Sequence, residues 1–390
     1  MANVVTAVYK NIQPNRTQAY LRSQLVADII AKAEFGNVSP AQTIKFPYGN
    51  SVAVQTYGYQ TGNARTDMTL VSDSYTIDQV KTAVMGYDKI QNQLAQNPSW
   101  VSDVEQEMAY QLARNVDQSV IAEGVAGAYT VVAGGAITAG GLLALMAETS
   151  AKLREAQRMP GMLYWIMDPL RAALLPQMNA SAGFAKADSA LVSGLNGFEG
   201  AEAVGFKVLI SNDLAYSVSL THAATPTNGQ TITIGGVTWT FVTTGTATNP
   251  GEISINGATQ ANLRDAINGT GVPGASVYID VAPESRIEMT NSGLSMAAFA
   301  ANVAVITKYG RINGSTTNGT NAFGTETSSM LAGVAGAIDM TMVQSPIFEE
   351  LPAQTSGNVT HAKDMIMTTL WGSGVWHRRA RSLAKITFNA

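Results

Sequence analysis

Chemistry needs nucleophiles, bases and ligands at workable spacings, and the chain supplies few. Its 390 residues contain three histidines (His222, His361, His377) and no cysteine. These histidines have no metal-ligand spacing among themselves, and without a thiolate no mixed zinc site can form. His361-Ala-Lys-Asp364 pairs a base with an orienting carboxylate, but no nucleophile pattern accompanies it. The phosphate loop G-x-x-x-x-G-K-[ST], the zinc motif H-E-x-x-H and the G-x-S-x-G elbow are all missing. Gly134-Gly135 and Gly140-Gly141 do not form G-x-G-x-x-G, and they read as turns. The sequence therefore predicts no enzyme: no catalytic residue, no cofactor and no metal.

The remaining charged groups read as contacts. Asp103, Glu105 and Glu107 fall in a helical pattern, where residues two apart point to different sides, so they do not converge for acid–base work. Near a helix N-terminus they suit the dipole and can face solvent or a partner. His377-Arg378-Arg379-Ala380-Arg381 is the basic cluster, and each guanidinium can grip carboxylate or phosphate. Taken as a strand, it puts Arg379 and Arg381 on one face and Arg378 on the other. A net charge of −4 and a pI near 5.5 argue against a dedicated nucleic-acid binder, so carboxylate pairing within or between subunits is the preferred reading. Arg65, Asp67 and Asp73 are the further charges expected to reach a neighbouring subunit.

These residues must be positioned by elements, and the most informative of those is Asn97 to Gly124. Asn97 is a suitable N-cap, Pro98 fits the first helical position, and Gly124 can close the end in the left-handed conformation. Val101, Val104, Met108, Leu112, Val116 and Val120 form one apolar stripe. Before it, Gln42 to Tyr87 reads as a long two-stranded ribbon reversing at Gly58, Gly62 and Asn63, marginal without a neighbour to lie on. A short helix is predicted at Gln18 to Lys32. Charged residues make up 13% of the chain, about half the usual share, which fits a surface covered by partners. No secretory signal pattern opens the sequence. Gly124 to Ala147 carries no charge, but its glycines and threonines favour a loop and a Thr138-capped helix over a membrane span.

After the Asn97 to Gly124 helix the chain alternates strand and helix from about Ala128 to Ser217: a strand at Met162 to Met167, a helix opened by Asp168-Pro169 and a strand at Lys207 to Ser211. From about Val218 to Ser329 the chain turns rich in Thr, Asn and Gly. There ITIGGVTWTFV predicts a hairpin, TQANLRDAIN a helix with a Thr cap, and Ser276 to Ala282, Arg286 to Thr290 and Val303 to Tyr309 three strands. This reads as a self-contained α+β module inserted into a host. GAIDMTMV is expected as a strand beside Lys207 to Ser211, and Lys363 to Phe388 returns to strand periodicity.

In this order the chain resembles tailed-bacteriophage major capsid proteins of the Hong Kong 97 fold. The resemblance rests on element order and texture and covers residues 1–217 and 331–390. It implies an α+β fold with an N-terminal arm (1–41), an extended loop (42–88) and a peripheral domain with its spine helix (89–127 and 347–390). An axial domain (128–217 and 330–346) and the inserted module (218–329) complete it. It further implies hexamers and pentamers in an icosahedral virion shell around double-stranded DNA, non-specific contact with that DNA, and no membrane. Scaffolding, portal and decoration proteins would be separate chains. A tail-tube protein or a surface adhesin is the alternative, since the Thr/Asn/Gly-rich module suits either.

Overall fold

The computed structural model describes residues 26–35, 43–49, 67, 70–88, 100–175, 177, 202–317, 319, 321–352 and 362–390. The chain opens with α1 (Ala27–Ile30), β1 (Ala31–Phe35), β2 (Thr43–Gly49), β3 (Leu70–Thr76) and β4 (Gln79–Asp88). A long helix, α2 (Trp100–Gly127), leads to β5 (Thr130–Ala136), α3 (Ala139–Glu155), β6 (Leu163–Met167) and α4 (Pro169–Ala172). Then come β7 (Glu202–Ala203), β8 (Phe206–Ile210), β9 (Ala215–His222), β10 (Thr231–Ile234), β11 (Val237–Thr243) and β12 (Glu252–Ile255). Two helices, α5 (Thr259–Asn268) and α6 (Pro283–Asn291), precede β13 (Ser295–Met296), β14 (Val303–Tyr309), β15 (Ser315–Thr316) and β16 (Asn321–Phe323). The chain closes with β17 (Thr327–Val334), β18 (Ile338–Pro352), β19 (Ala362–Val375), α7 (His377–Ala380) and β20 (Leu383–Asn389).

These elements form two compact units, Met1–Ala113 with Ala335–Arg381, and Arg114–Val334 with Ser382–Ala390. In the first, a sheet of order β1-β18-β19-β4 packs its inward side chains on the start of α2. Met365 and Met367 of β19 and the half-buried Ala83 of β4 meet Val104, Met108, Ala109 and Leu112 of the helical stripe. The β2–β3 ribbon is rooted on this sheet through Tyr75, whose hydroxyl lies 2.6 Å from that of Thr341 and whose ring tilts against Trp376 at 5.5 Å. That close approach needs Gly372, because a Cβ there would stand 2.8 Å from the Thr76 carbonyl oxygen and 2.9 Å from Ile77 Cα.

The second unit is built on a ten-stranded sheet whose main path is β13-β14-β9-β17-β6-β8-β7, with β20 joining β17 to β5 and β16 pairing β9. The central strand β6, LYWIM, is buried at every position and lies between β17 and β8, which explains its unbroken apolar run. Thr138 caps α3 by accepting from Gly141 N–H, and Leu142, Leu145, Met146 and Leu153 give that helix its buried face. A smaller sheet of order β12-β11-β10-β15 carries the predicted hairpin. Ile234 faces Val237 across a two-residue turn, Gly235-Gly236, with φ of 61° and 85°. Positive φ at both positions is the type I′ geometry that matches strand twist, and glycine adopts it without strain.

Several predicted elements differ. Of the helix expected at Gln18 to Lys32, residues 18–25 lie outside the described residues; the described part holds one turn, Ala27–Ile30, and Lys32 is already in β1, where pairing with β18 competes for that segment. Helix α2 passes through Gly124 to Gly127, and Gly124 takes no left-handed conformation, since the apolar run resumes at Val125. β4 leaves the ribbon to pair with β19. The segment containing Arg286 to Thr290 is helical, started by Pro283 at its first position. Arg286 caps α5, donating to the carbonyls of Ala266 and Ile267, so its alternation with apolar residues imitated a strand. Ser276 to Ala282 forms isolated bridges at Tyr278 and no strand. Thr259 sits inside the first turn of α5, its hydroxyl bonded back to Asn256, and Ala258 holds the cap position without a side-chain bond. Finally, β18 pairs with β1 and β19; the neighbours of β8 are β6 and β7.

Candidate subunit-contact surfaces

The predicted contact residues separate on their surroundings. Arg65 lies outside the described residues. Asp67 is exposed, and Asp73 is half-buried on β3 opposite Phe46. Asp103 is in the first turns of α2. Glu105 is only 5% exposed, which removes it from any solvent-facing contact set. Its position four residues before buried Ala109 turns it toward the same core as the stripe, a consequence of the helical period.

The basic cluster is helical where a strand was expected. Ala380 N–H donates to the Trp376 carbonyl at 2.7 Å, closing the turn of α7. Arg379 Nη1 then reaches both carboxylate oxygens of Asp339 at 2.7 Å and the Gly336 carbonyl at 3.3 Å. Asp339 is buried, so this is an intrachain tie. Arg378 and Arg381 are exposed, and the Arg378 guanidinium stands 5.8 Å from the centroid of the Tyr48 ring. Of the three arginines, Arg378 and Arg381 are the exposed ones.

Sequence reasoning missed the apolar surface. β4 ends the first unit's sheet, and its Val80 and Val84 are 58% and 60% exposed, with Met85 beside them. Leu70 and Val71 of the ribbon are exposed as well. In the second unit β5 is, among the described residues, a terminal strand pairing only β20, and Tyr129 and Val131 are 63% and 60% exposed. Apolar side chains on terminal strands invite further pairing, and proteins that stay alone blunt them with charge or proline. The alternation of Val80, Thr82 and Val84 was the available signal, and it reads equally well as a strand facing a core.

Buried charge in the second unit is structural. Arg114 Nε and Gln118 Nε2 both donate to Asp213 Oδ1, at 2.7 and 2.9 Å. Arg171 bonds Asp168 at 3.0 Å and the Asn389 carbonyl at 2.9 Å, and lies 4.5 Å from the centroid of the Phe388 ring. Burial, and then the neighbouring Asp168, push the Tyr216 hydroxyl above its ordinary range. Burial lifts the Glu123 carboxyl and lowers the Lys308 ammonium, Glu288 and Glu326 partly restoring the latter. None of these groups converges on an open nucleophile. His222 Nδ1 lies 2.6 Å from Asn321 Oδ1 in the interior, His377 belongs to α7, and His361 is outside the described residues. Among the described residues no group of His, Asp and Glu could hold a metal ion, and no helix is long and apolar enough to cross a membrane.

The fold has counterparts among solved structures. A solved structure from cyanophage P-SCSP1u, titled as a capsid structure, superposes with a TM-score of 0.51 at 11% identity, covering 93% of this chain and 88% of that one. A chain from Mycobacterium phage Ogopogo gives 0.52 at 10% identity over 94% and 92%, and one from Mycobacterium phage Che8 gives 0.50 at 12% over 88% and 84%. This is a phage-capsid fold. At such identities the likeness speaks for the mixed α+β capsid fold and not for any residue's role. No protein-family model matches the sequence, and no curated protein matches it.

Proposed function

We propose that the chain is a tailed-phage major capsid protein, assembling with copies of itself into an icosahedral shell around double-stranded DNA. The observation that carries this is the capsid fold spanning nearly the whole chain. The exposed apolar terminal strands β4 and β5 support it, since they present area and strand edges that a lone chain leaves in water. The finer reading is Hong Kong 97-like, with arm, extended loop, peripheral domain with spine helix, and axial domain. Hexamers and pentamers are the building blocks, formed in the host cytoplasm. Scaffolding, portal and decoration proteins act as separate partners, and the packaged DNA makes non-specific contacts. Arg65, Asp67, Asp73, Asp103, Arg378 and Arg381 are the charged residues proposed to face neighbouring subunits.

Residues 218–329 are proposed as an inserted module. Thr327 pairs directly with Ser217, so the chain leaves and rejoins the host at adjacent points, as an insertion requires. The module is not self-contained, because β9, β14 and β16 extend the host's ten-stranded sheet.

Negative-stain electron microscopy of the purified protein, with and without a co-expressed scaffolding protein, tests the reading. Closed shells or five- and six-membered rings are expected. Tubes or stacked rings would favour a tail-tube component, and small monodisperse particles under every condition would overturn assembly as the function.

A further inference from the structure

Six Asn-Gly pairs occur in the chain, at Asn196, Asn228, Asn256, Asn268, Asn313 and Asn318. Such pairs carry a latent reaction, because an unhindered glycine amide can attack the preceding side-chain amide. Four of them lie among the described residues, and the fold treats one differently. Asn228 Oδ1 accepts from Thr243 N–H at 3.0 Å, while the attacking group, Gly229 N–H, is engaged with the Phe241 carbonyl at 2.8 Å. Asn256 donates to the Ser276 carbonyl at 2.8 Å and accepts from Ala258 N–H and Asn262 Nδ2. Asn268 bonds the Met296 backbone in both directions, and Gly269 N–H caps α5 on the Asp265 carbonyl. Asn313 is exposed, sits at φ +49°, and makes no side-chain hydrogen bond among the described residues. Gly314 N–H likewise has no acceptor among them.

We propose that Asn313-Gly314 is a self-modification site, at which Asn313 deamidates ahead of the other described Asn-Gly pairs. Gly314 N attacks Asn313 Cγ, the N–Cγ bond forms, the Cγ–Nδ2 bond breaks, and ammonia leaves with the proton from the glycine amide. Water then opens the cyclic imide at either carbonyl, giving aspartate or isoaspartate. Either product adds a negative charge two residues from Arg311. Isoaspartate also lengthens the backbone by one carbon just before β15, whose Ser315 and Thr316 pair with Thr233 and Ile232 of β10. The register of that edge pairing is then lost.

The test is incubation of the wild-type protein at body temperature in neutral and mildly alkaline buffer, with peptide mass spectrometry over time. Fragment ions separate conversion at Asn313 from conversion at Asn318. Asn313 is expected to convert at least about tenfold faster than Asn228, Asn256 or Asn268, a barrier difference of ~1.4 kcal/mol. The rate should rise in the alkaline buffer, where the attacking amide loses its proton more readily. Asn313→Asp should reproduce the aspartate product, and Asn313→Gln should suppress the early charge variant. Conversion of Asn313 at the rate of the three bonded asparagines, or none, would overturn the proposal.

Discussion

At the residue scale the informative side chains are those whose burial conflicts with their charge. Lys308 is held below its ordinary 10.5 chiefly by burial. Its folded form resists the proton, so the cost is present in full below the folded pKa and fades as pH climbs toward 10.5, where the unfolded chain also becomes neutral. Lys308→Met should raise the thermal unfolding midpoint at neutral pH by an equivalent of less than ~1 kcal/mol, with the gain shrinking in alkaline buffer. A lowered midpoint would mean that attraction to Glu288 and Glu326 outweighs the burial. Little of this was legible beforehand, since charge in a sequence does not announce its depth. Glu105 and Arg379 illustrate the point: both looked like surface contacts, and one lies in a core while the other bonds buried Asp339. Thr138 was legible because a cap depends on only three neighbouring residues.

At the element scale, local patterns were readable and pairings were not. The stripe from Val104 to Val120 and the Gly-Gly hairpin follow from short-range period and turn chemistry. The partner of β18 did not, because nothing in GAIDMTMV distinguishes a neighbour 130 residues back from one 300 back. The strand reading of Arg286 to Thr290 failed when Pro283 and the capping role of Arg286 won over alternation. The ribbon root gives this scale its prediction. Gly372→Ala would drive a methyl against backbone atoms of Thr76 and Ile77 that cannot rotate aside. A loss of about 1–3 kcal/mol in denaturant unfolding is expected, with faster amide exchange in β3 than in β18. A wild-type midpoint would show that the ribbon does not depend on this close approach.

For the whole molecule, the capsid reading makes two demands. Val80→Lys with Val84→Lys charges the outer face of β4, where both side chains are exposed. The circular dichroism should be unchanged and stability should move by no more than ~0.5 kcal/mol, while shell formation is lost. Normal particle yield would exclude β4 as a docking strand. Replacing residues 218–326, the proposed module short of the three residues that belong to β17, by a short Gly/Ser bridge should leave a soluble host, because paired antiparallel residues such as Ser217 and Thr327 stand only about 5 Å apart. An insoluble product would show that β9 and β14 are needed by the host core. The capsid fold was legible in the order of ribbon, rod and sheet, whereas the sharing of one sheet between the proposed module and host was hidden in long-range pairing. That pairing also has a temporal side. β1 finds its partner only when β18 emerges, and β5 waits for β20 at the far end of the chain. At roughly 5–20 residues per second, a ribosome leaves β1 without that partner for about 15 s or more. Neither sheet closes before β19 and β20 have been made, so a chain halted ahead of them carries neither completed sheet and has little with which to recruit a finished neighbour.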